Sequence, residues 1–370
     1  MRGNKILGII FSHTQDDKLR ELTDVRTTGS VPYGGRYRLI DFALSSMVNS
    51  GIEKVGVITK SNYQSLLDHL GSGKSWGLSR KNSGLFILPP FGRGNVLHES
   101  KVEALCNNAK FISHSLEDYV VLSDSDVIYS LDVQKVVDQH IAKGADITAV
   151  YKEGAAPEQL GASLMFNFNE EGNAESVLID SQCQGTCNYG LHIYVMHKEF
   201  LLSAVKEAYG HNRLNFSRDI IAAEVAKGNV YGYKYTGYSA VIGSMKQYFD
   251  ASMDLMKPEI RAELFGSNPV YTKIRDEMPA VYGLGSEVEN SLIADGCQIN
   301  GYVENSILFR GVTVGAGAVV RNCIVMQDTS IGENTKLNYV VVDKDNSIGA
   351  EREFAGEESY PVYIRKGSLI

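Results

Sequence analysis

The amino-acid sequence predicts a doubly wound, Rossmann-like α/β domain that is followed by a left-handed parallel β-helix. Over the first 256 residues, short apolar runs alternate with segments of helical periodicity, which is typical of an α/β sheet. From about residue 281 the apolar residues recur six apart, with glycine and other small residues between them. A period of six is neither helical nor hairpin-like, but it matches the hexapeptide solenoid, in which each short strand sends one apolar residue inward.

The length of the chain, 370 residues, is consistent with two domains, because a single hydrophobic core rarely grows that large. We therefore predict an α/β domain over residues 1–256, a linker over 257–280 and a β-helix over 281–370. A solenoid buries little at its open ends, so a partner or a cap is expected there.

Within the α/β part, apolar runs predict buried strands at residues 5–10, 54–59, 118–123 and 146–151. Segments such as 41–50 and 102–112 have helical periodicity, and this alternation favours parallel strands. Ligands of such sheets bind beyond the carboxyl ends of the strands. The turns after Ile10 and after Ser123 are therefore the candidate sites.

In the C-terminal part, the hexapeptide pattern predicts which side chains fill the interior of the solenoid. These are Ile293, Ile299, Leu308, Val314, Val320, Val325, Ile331, Leu337, Val342 and Ile348. A step of five residues between Val320 and Val325 interrupts the count. Such a step predicts a corner or a small loop rather than the end of the repeat.

Composition and charge exclude several classes of protein. The chain is 44% hydrophobic and 22% charged, with a net charge of −8. This acidity argues against a nucleic-acid binder or a membrane-surface protein, because either needs a basic face. No apolar run approaches the roughly 20 residues that span a bilayer, and the N-terminal apolar stretch is too short for a signal peptide. We therefore expect a cytoplasmic protein.

The cysteines are an odd and scattered set, which predicts reduced thiols. They are Cys106, Cys183, Cys187, Cys297 and Cys323. Cys183 and Cys187 lie four apart, but no second Cys or His pair has the spacing of a zinc site. The sequence therefore argues against structural zinc.

The first strand is followed by FSHTQDDKLRELT, residues 11–23, where a nucleotide-binding protein would have glycines. A strand, a turn and a helix N-terminus form a phosphate cradle, because backbone N–H groups and the helix dipole attract an anion. Small residues are needed there so that a phosphate can approach the backbone. The turn instead carries His13, Thr14, Gln15, Asp16 and Asp17, and its two carboxylates would repel a triphosphate.

One stretch, VPYGGRYRLIDFALSSMVNSGI at residues 31–52, closely resembles a segment of bacterial ADP-glucose pyrophosphorylase, also called glucose-1-phosphate adenylyltransferase. Residues 62–71, 121–129, 188–195 and 237–246 are similar to that family too. The resemblance covers nearly the whole chain. It implies a nucleotidyltransferase domain joined to a hexapeptide β-helix, in agreement with the two periodicities.

The residues that the resemblance assigns to phosphate binding are altered in this chain. The active family has a glycine-rich loop that ends in an arginine, and a lysine-proline-alanine motif follows it. Alignment on Leu19 and Leu22 puts Lys18 at the arginine position, and alignment back from Pro32 puts Thr28 and Gly29 where lysine and proline are expected. A lysine lacks the bidentate fork of an arginine.

The metal site that the resemblance implies is also altered. The family holds Mg²⁺ between two aspartates, and Asp126 matches the first of them. Val241 stands at the second position, and Ser239 replaces a tryptophan beside it. Since Mg²⁺ is normally bound through one or two well-placed carboxylates and substrate phosphates, we expect it to bind weakly if at all. A solvated or capping role for Asp126 is the alternative.

The lysine that the resemblance implies for binding the sugar phosphate is also missing from this chain. The family has a glutamate-lysine-proline motif before the segment that matches Asn188 and Tyr189, but no lysine lies between Lys152 and Lys198. Asn188 and Tyr189 are therefore candidate remnants of the sugar contacts, with a packing role as the alternative. No residue is assigned a catalytic role, and no cofactor is expected to be required.

These departures favour a non-catalytic regulatory subunit, similar to the GlgD-type subunit of bacterial glycogen synthesis. The resemblance implies that it assembles with a catalytic ADP-glucose pyrophosphorylase chain as a hetero-oligomer, and a tetramer is expected. Two alternatives remain at this point: a slow adenylyltransferase that uses Lys18 and Asp126, and a stand-alone sensor of a sugar phosphate or nucleotide. A phosphorylated effector is a further candidate ligand, and the basic residues considered for it are Arg36, Arg38, Arg365 and Lys366.

Overall fold

The computed structural model of the chain describes residues 6–13, 19–90, 98–155, 164–179, 185–266 and 268–370. In the α/β domain the strands are β1 (Ile6–Phe11), β2 (Pro32–Tyr33), β3 (Tyr37–Arg38), β4 (Lys54–Ile58), β5 (Gly84–Leu88), β6 (Tyr119–Asp124), β7 (Val127–Tyr129), β8 (Ile147–Ala155), β9 (Leu164–Phe168), β10 (Ala174–Ile179), β11 (Thr186–His197), β12 (Val230–Lys234) and β13 (Ser239–Val241).

The helices are α1 (Arg20–Thr23), α2 (Leu39–Asn49), α3 (Gln64–Leu70), α4 (Lys101–Asn107), α5 (Ala109–Ser113), α6 (Val133–Lys143), α7 (Lys198–Gly210), α8 (Ala223–Val225), α9 (Met245–Asp254) and α10 (Pro258–Phe265). Short 3₁₀ turns cover Thr28–Ser30 and Lys74–Trp76, and a π-helical segment covers Ser217–Ala222. Among the described helices, none combines the length and the apolar character that crossing a membrane requires.

The large sheet of the α/β domain is mixed. Strands β5, β4, β1 and β6 are parallel neighbours in that order. Strand β11 then pairs antiparallel with β6, β8 and β9. The α/β class is as predicted, but the strand predicted at residues 146–151 is parallel only to β12 and antiparallel to β11. A buried apolar run has the same pattern in a parallel and in an antiparallel strand, so the periodicity alone does not reveal the direction of β8.

Helices cover both faces of this sheet because the side chains of β1 alternate between two cores. Ile6 and Ile10 pack with residues of α2 and α6 in one hydrophobic cluster. Leu7, Ile9 and Phe11 pack with residues of α4 and α7 in another. Alternate residues of a strand point to opposite faces, so the fully apolar β1 must lie in the centre of the sheet.

The C-terminal domain is a parallel β-helix of three stacked sheets, the arrangement of a left-handed hexapeptide solenoid. The strands of the first sheet are β14 (Val281–Tyr282), β17 (Gln298–Ile299), β20 (Thr313–Val314), β23 (Ser330–Ile331) and β26 (Ser347–Ile348). The second contains β15 (Glu287–Glu289), β18 (Tyr302–Glu304), β21 (Val319–Arg321), β24 (Lys336–Asn338) and β27 (Glu353–Ala355). The third contains β16 (Leu292–Ile293), β19 (Ile307–Leu308), β22 (Ile324–Val325), β25 (Val340–Val342) and β28 (Val362–Ile364).

The inward positions of the solenoid are those that the sequence pattern predicts. Nine of the ten predicted residues, from Ile299 to Ile348, are buried, and Ile293 packs half-buried against the same cluster. The short step after Val320 is a corner at Asn322, whose φ is +51°. Asparagine tolerates this left-handed conformation, and Asn305 and Asn290 adopt it at the preceding corners, where the two side chains are joined by a hydrogen bond of 2.7 Å.

The two domains share a hydrophobic core. Phe42 and Phe249 of the α/β domain belong to the same buried cluster as Phe309 and Met326 of the β-helix. Helix α10 lies in the segment predicted as a linker, and its Leu264 is buried in this cluster. The β-helix therefore packs against the α/β domain rather than being tethered to it.

Candidate functional site

The candidate site lies where the parallel strands β1 and β6 end, as the sequence analysis expects for a sheet of this kind. The N–H of Ser125 donates to the carbonyl of Phe11 at 3.1 Å, and the N–H of Gly29 donates to the carbonyl of Ser12 at 2.9 Å. Three segments distant in sequence thus meet at one edge of the sheet. A Cβ on Gly29 would lie 3.1 Å from Ser125 Oγ, which explains why the closest approach uses glycine.

An imidazole fills the start of the first turn. The ring of His13 lies with its centroid 5.3 Å from that of His98. Burial, followed by the nearby His98 and the ammonium groups of Lys60 and Lys101, lowers the pKa of His13 to about 3. His13 is therefore neutral and occupies space that a phosphate would need. The predictions made for Thr14, Gln15, Asp16, Asp17 and Lys18 concern positions that lie outside the described residues.

The segment that carries a lysine in the active family offers no cation to this site. Thr28 is fully buried in the 3₁₀ turn Thr28–Ser30. Arg26, two residues earlier, is directed to the β-helix, where Nη2 donates to Oδ1 of Asp343 at 2.8 Å. The guanidinium of Arg26 therefore forms an ion pair with the β-helix and is not available at the end of β1.

The two segments of the expected metal site do come together. Strand β13 pairs antiparallel with β7, with Val241 opposite Val127. The N–H of Ile242 donates to the carbonyl of Asp126 at 2.7 Å. Val241 is 5% exposed and belongs to an apolar core cluster, so this position offers no second carboxylate.

Asp126 lies in a cluster of charged groups that sequence reasoning missed. Nδ1 of His192 is 3.5 Å from Oδ2 of Asp126 and 3.6 Å from Oδ2 of Asp124. Lys101, at the start of α4, places its Nζ 2.5 Å from the same Asp124 oxygen. Asp124 ends β6, and His192 lies in the middle of β11, which pairs with β6. In the sequence, only Asp126 of the run at residues 123–126 was a candidate ligand. Asp124, His192 and Lys101 were not identified.

Burial and mutual charge set the ionisation of this cluster. Burial raises the pKa of the Asp124 carboxyl, and the neighbouring Lys101 opposes that rise. Burial by itself lowers the pKa of His192, but the carboxylates of Asp126 and Asp124 outweigh it, so the pKa of His192 lies above its ordinary value. The cluster favours a cationic partner for its carboxylates, and the protein supplies that partner itself.

The cluster does not fit Mg²⁺. This ion requires oxygen ligands in near-octahedral geometry and usually keeps several waters. Here an imidazole lies between the two carboxylates, and an ammonium contacts one of them. All three members of the Asp124, Asp126 and His192 set are buried, and the neighbouring Val241 supplies no oxygen.

The candidate sugar contacts lie on β11. Nδ2 of Asn188 donates weakly to the carbonyl of Phe166 at 3.4 Å, and Tyr189 is 6% exposed and belongs to the core. Lys152, directly opposite Tyr189 on β8, donates from Nζ to the carbonyl of Gly237 at 2.9 Å. Burial lowers the pKa of Lys152. Lys152 therefore places a basic residue beside the candidate sugar contact Tyr189, and the sequence analysis did not identify it.

The basic residues considered for an effector do not all converge. Arg36 is exposed and lines a separate groove, and Arg365 pairs with Asp24 at the surface. Arg38 instead lies near Lys344, which the sequence did not single out. Burial and the cations of Arg38 and Arg26 lower the pKa of Lys344 to about 6.

Comparisons with known proteins agree with this fold. Residues 7–257 match the nucleotidyl transferase family, and residues 281–359 match the C-terminal hexapeptide family of GlmU-like proteins. The chain is 36% identical over 374 residues to the glycogen biosynthesis protein GlgD of Bacillus subtilis (strain 168), covering 99% of this chain and 97% of that protein.

Two proteins of Geobacillus stearothermophilus are also similar. The chain is 37% identical over 323 residues to its glycogen biosynthesis protein GlgD, and this covers 86% of the chain and 83% of that protein. It is 34% identical over 328 residues to its glucose-1-phosphate adenylyltransferase, again covering 86% of the chain and 83% of the relative.

Proposed function

Because the chain belongs to the nucleotidyl transferase family that includes glucose-1-phosphate adenylyltransferases and GlgD glycogen biosynthesis proteins, we propose that it is a non-catalytic regulatory and scaffold subunit. Its partner would be a catalytic glucose-1-phosphate adenylyltransferase, which makes ADP-glucose and pyrophosphate from ATP and glucose 1-phosphate. The two chains together would act in glycogen biosynthesis. The protein would activate or modulate the partner within a hetero-oligomer.

One observation carries the non-catalytic part of this proposal. The position expected to give the second metal carboxylate is Val241, and the remaining Asp126 faces the imidazole of His192 at 3.5 Å. Nucleotidyl transfer places negative charge on the phosphates, and preorganised cations stabilise it. Removal of one such stabilising group typically reduces the rate about 10²–10³-fold. With Thr28 at the lysine position one such cation is missing, and with Val241 at the second carboxylate position a ligand for the metal ion is missing as well.

A partner surface is available at the first turn of the β-helix. Strands β14, β15 and β16 are each the outermost strand of their sheet. Large apolar side chains are exposed there: Met278 (80%), Val281 (60%), Tyr282 (53%) and Leu284 (fully). At the opposite end Tyr360 (80%) and Leu369 (84%) are also exposed, but the edge of β26 is covered by the chain itself, because Ile370 exchanges hydrogen bonds with the backbone of Ser347 and Gly349.

This asymmetry favours the first turn as the docking surface. An uncovered strand edge with apolar side chains readily accepts another strand or a solenoid end. The occupant that we propose is the β-helix of the catalytic subunit, which would present a strand edge of the same spacing. Leu284→Asp should reduce recovery of the complex, whereas Leu116→Asp, at an equally exposed leucine of the α/β domain (77%), should leave it unchanged.

A phosphorylated effector remains part of the proposal. The cluster of Arg38, Arg26 and Lys344 lies between the domains. Burial is the main cause of the lowered pKa of Lys344, and the cations of Arg38 and Arg26 add repulsion that an oxyanion would relieve. A ligand at this position would contact both domains and so is suited to change their relative stability. Arg36 is not part of this cluster.

Co-expression with a catalytic adenylyltransferase of the same genome tests the proposal. We expect a stable hetero-oligomer in size-exclusion chromatography and a changed rate or effector response in a pyrophosphorylase assay. Turnover by this chain alone that clearly exceeds a trace rate would support the adenylyltransferase alternative instead. Tight nucleotide or sugar-phosphate binding without any complex would support a stand-alone sensor.

A further inference from the structure

A buried imidazole occupies the place where a metal ion would join two carboxylates. Nδ1 of His192 is nearly equidistant from Asp126 and Asp124, at 3.5 and 3.6 Å from their Oδ2 atoms. The exposed fractions of the three side chains are at most 4%.

The backbone of His192 is unusual for a residue in a strand. Its φ is +56°, and the pairing of β11 with β8 shifts register between Gly190 and Ile193. Non-glycine residues seldom adopt such a φ, and the conformation is strained. The bulge turns the imidazole toward the carboxylates, so a strained residue is retained where glycine would fit without strain.

A second basic group contacts one of these two carboxylates. Nζ of Lys101 lies 2.5 Å from Oδ2 of Asp124 and is partly exposed at 24%. A lysine ammonium within hydrogen-bond distance competes directly with a cation for that oxygen. Asp124 thus has an ammonium in direct contact, and the imidazole of His192 lies beside both carboxylates.

We propose that His192, assisted by Lys101, is an internal plug of the metal position: the two basic side chains hold Asp124 and Asp126 together and exclude divalent cations. This inference deepens the proposed function, since it gives a cause for inactivity beyond the loss of a carboxylate at Val241. It also gives the buried carboxylates basic partners within the protein, and uncompensated buried charges are costly.

The test removes the plug and measures metal binding by the whole chain. His192→Gly suits the positive φ and empties the pocket, and Mn²⁺ is the probe because its binding is visible by electron paramagnetic resonance. We expect Mn²⁺ to bind His192→Gly at least tenfold more tightly than the unaltered protein. Adding Asp126→Asn to His192→Gly should abolish the gain.

A matched control uses another buried histidine that contacts a carboxylate. Nε2 of His69 lies 2.6 Å from Oδ1 of Asp41, away from the pocket. His69→Asn should not increase Mn²⁺ binding. If His192→Gly does not fold, as judged by circular dichroism, Lys101→Met provides the second arm and should also bind Mn²⁺ more tightly than the unaltered protein.

Two results would overturn the inference. One is equal Mn²⁺ affinity of the unaltered protein and the folded variants. The other is a stoichiometric metal in the purified chain that is lost in His192→Asn, since His192 would then be a ligand rather than a plug. Both measurements use this chain alone. A failure to activate a partner would therefore refute the proposed function and leave the inference about His192 intact.

Discussion

The guanidinium of Arg26 in the α/β domain and the carboxylate of Asp343 in the β-helix form a buried ion pair across 317 residues of sequence. Nη2 lies 2.8 Å from Oδ1, and the two side chains are 2% and 0% exposed. Tyr363 donates its hydroxyl to the other carboxylate oxygen at 2.6 Å, and the N–H of Lys344 donates to Oδ1 at 2.7 Å. This network links the α/β domain, which carries the candidate site, to the β-helix.

Arg26→Met should destabilise the protein, because it leaves a buried carboxylate without its cation. Breaking a buried pair in this way typically costs about 3–5 kcal/mol, measured as the free energy of unfolding in urea. Asp24→Asn is the matched control, since it removes the surface pair with Arg365, whose side chain is 79% exposed. That pair should contribute no more than about 1 kcal/mol. Equal losses in the two variants would contradict the role assigned to the buried pair.

A truncation that ends near Lys257 should be poorly soluble and should lose any activating effect on a partner. It removes Phe309 and Met326 from the shared core and uncovers Phe42 and Phe249. Exposed apolar surface of this kind leads to aggregation. Solubility, circular dichroism and the partner assay measure the outcome. A monodisperse truncated form that activates as well as the full chain would show that assembly does not involve the β-helix.

The purified chain should convert ATP and glucose 1-phosphate at no more than a trace rate. The reason lies in Thr28, Val241 and the acidic pair at Asp16 and Asp17, of which the last two lie outside the described residues. A radiometric or coupled pyrophosphorylase assay on the chain alone measures this rate. Turnover on the order of 10 per second, an ordinary value for an enzyme, would refute the non-catalytic assignment.

Stability should rise with pH between about 6 and 10 through Lys344. Its folded-state pKa is lowered to about 6, from an ordinary value of 10.5, by burial and by the cations of Arg38 and Arg26. In this window the unfolded chain binds the proton and the folded chain does not, so the free energy of unfolding increases with pH. Below pH 6 the penalty is complete, because the folded protein must also carry the charge.

Urea unfolding at several pH values measures this dependence. Lys344→Met should flatten the curve relative to the unaltered protein, whereas Lys246→Met, at a side chain that is 46% exposed and paired with Asp250, should leave the slope unchanged. Inorganic phosphate should stabilise the unaltered protein more at pH 6.5 than at pH 9. A curve unaffected by Lys344→Met would show that Lys344 is not the responsible group.

The candidate site was predictable where a local sequence match carried the information. The substitution of Val241 for a carboxylate and the position of Asp126 beside it both follow from the resemblance, and the pairing of β13 with β7 brings the two segments together. The contact of His192 with Asp126 was not predictable, because it depends on a bulge in β11 and on the pairing of β11 with β6. The role of Lys101 was missed for the same reason.

The sequence by itself determined the two fold classes and the inward residues of the solenoid, because the period of a repeat dictates which side chains face the interior. Tertiary structure decided the direction of β8, the packing of α10 into a core shared by the domains, and the partners of Asp126 and Arg26. These features arise from contacts between distant segments. Local periodicity specifies which face of an element is buried, but not which element covers it.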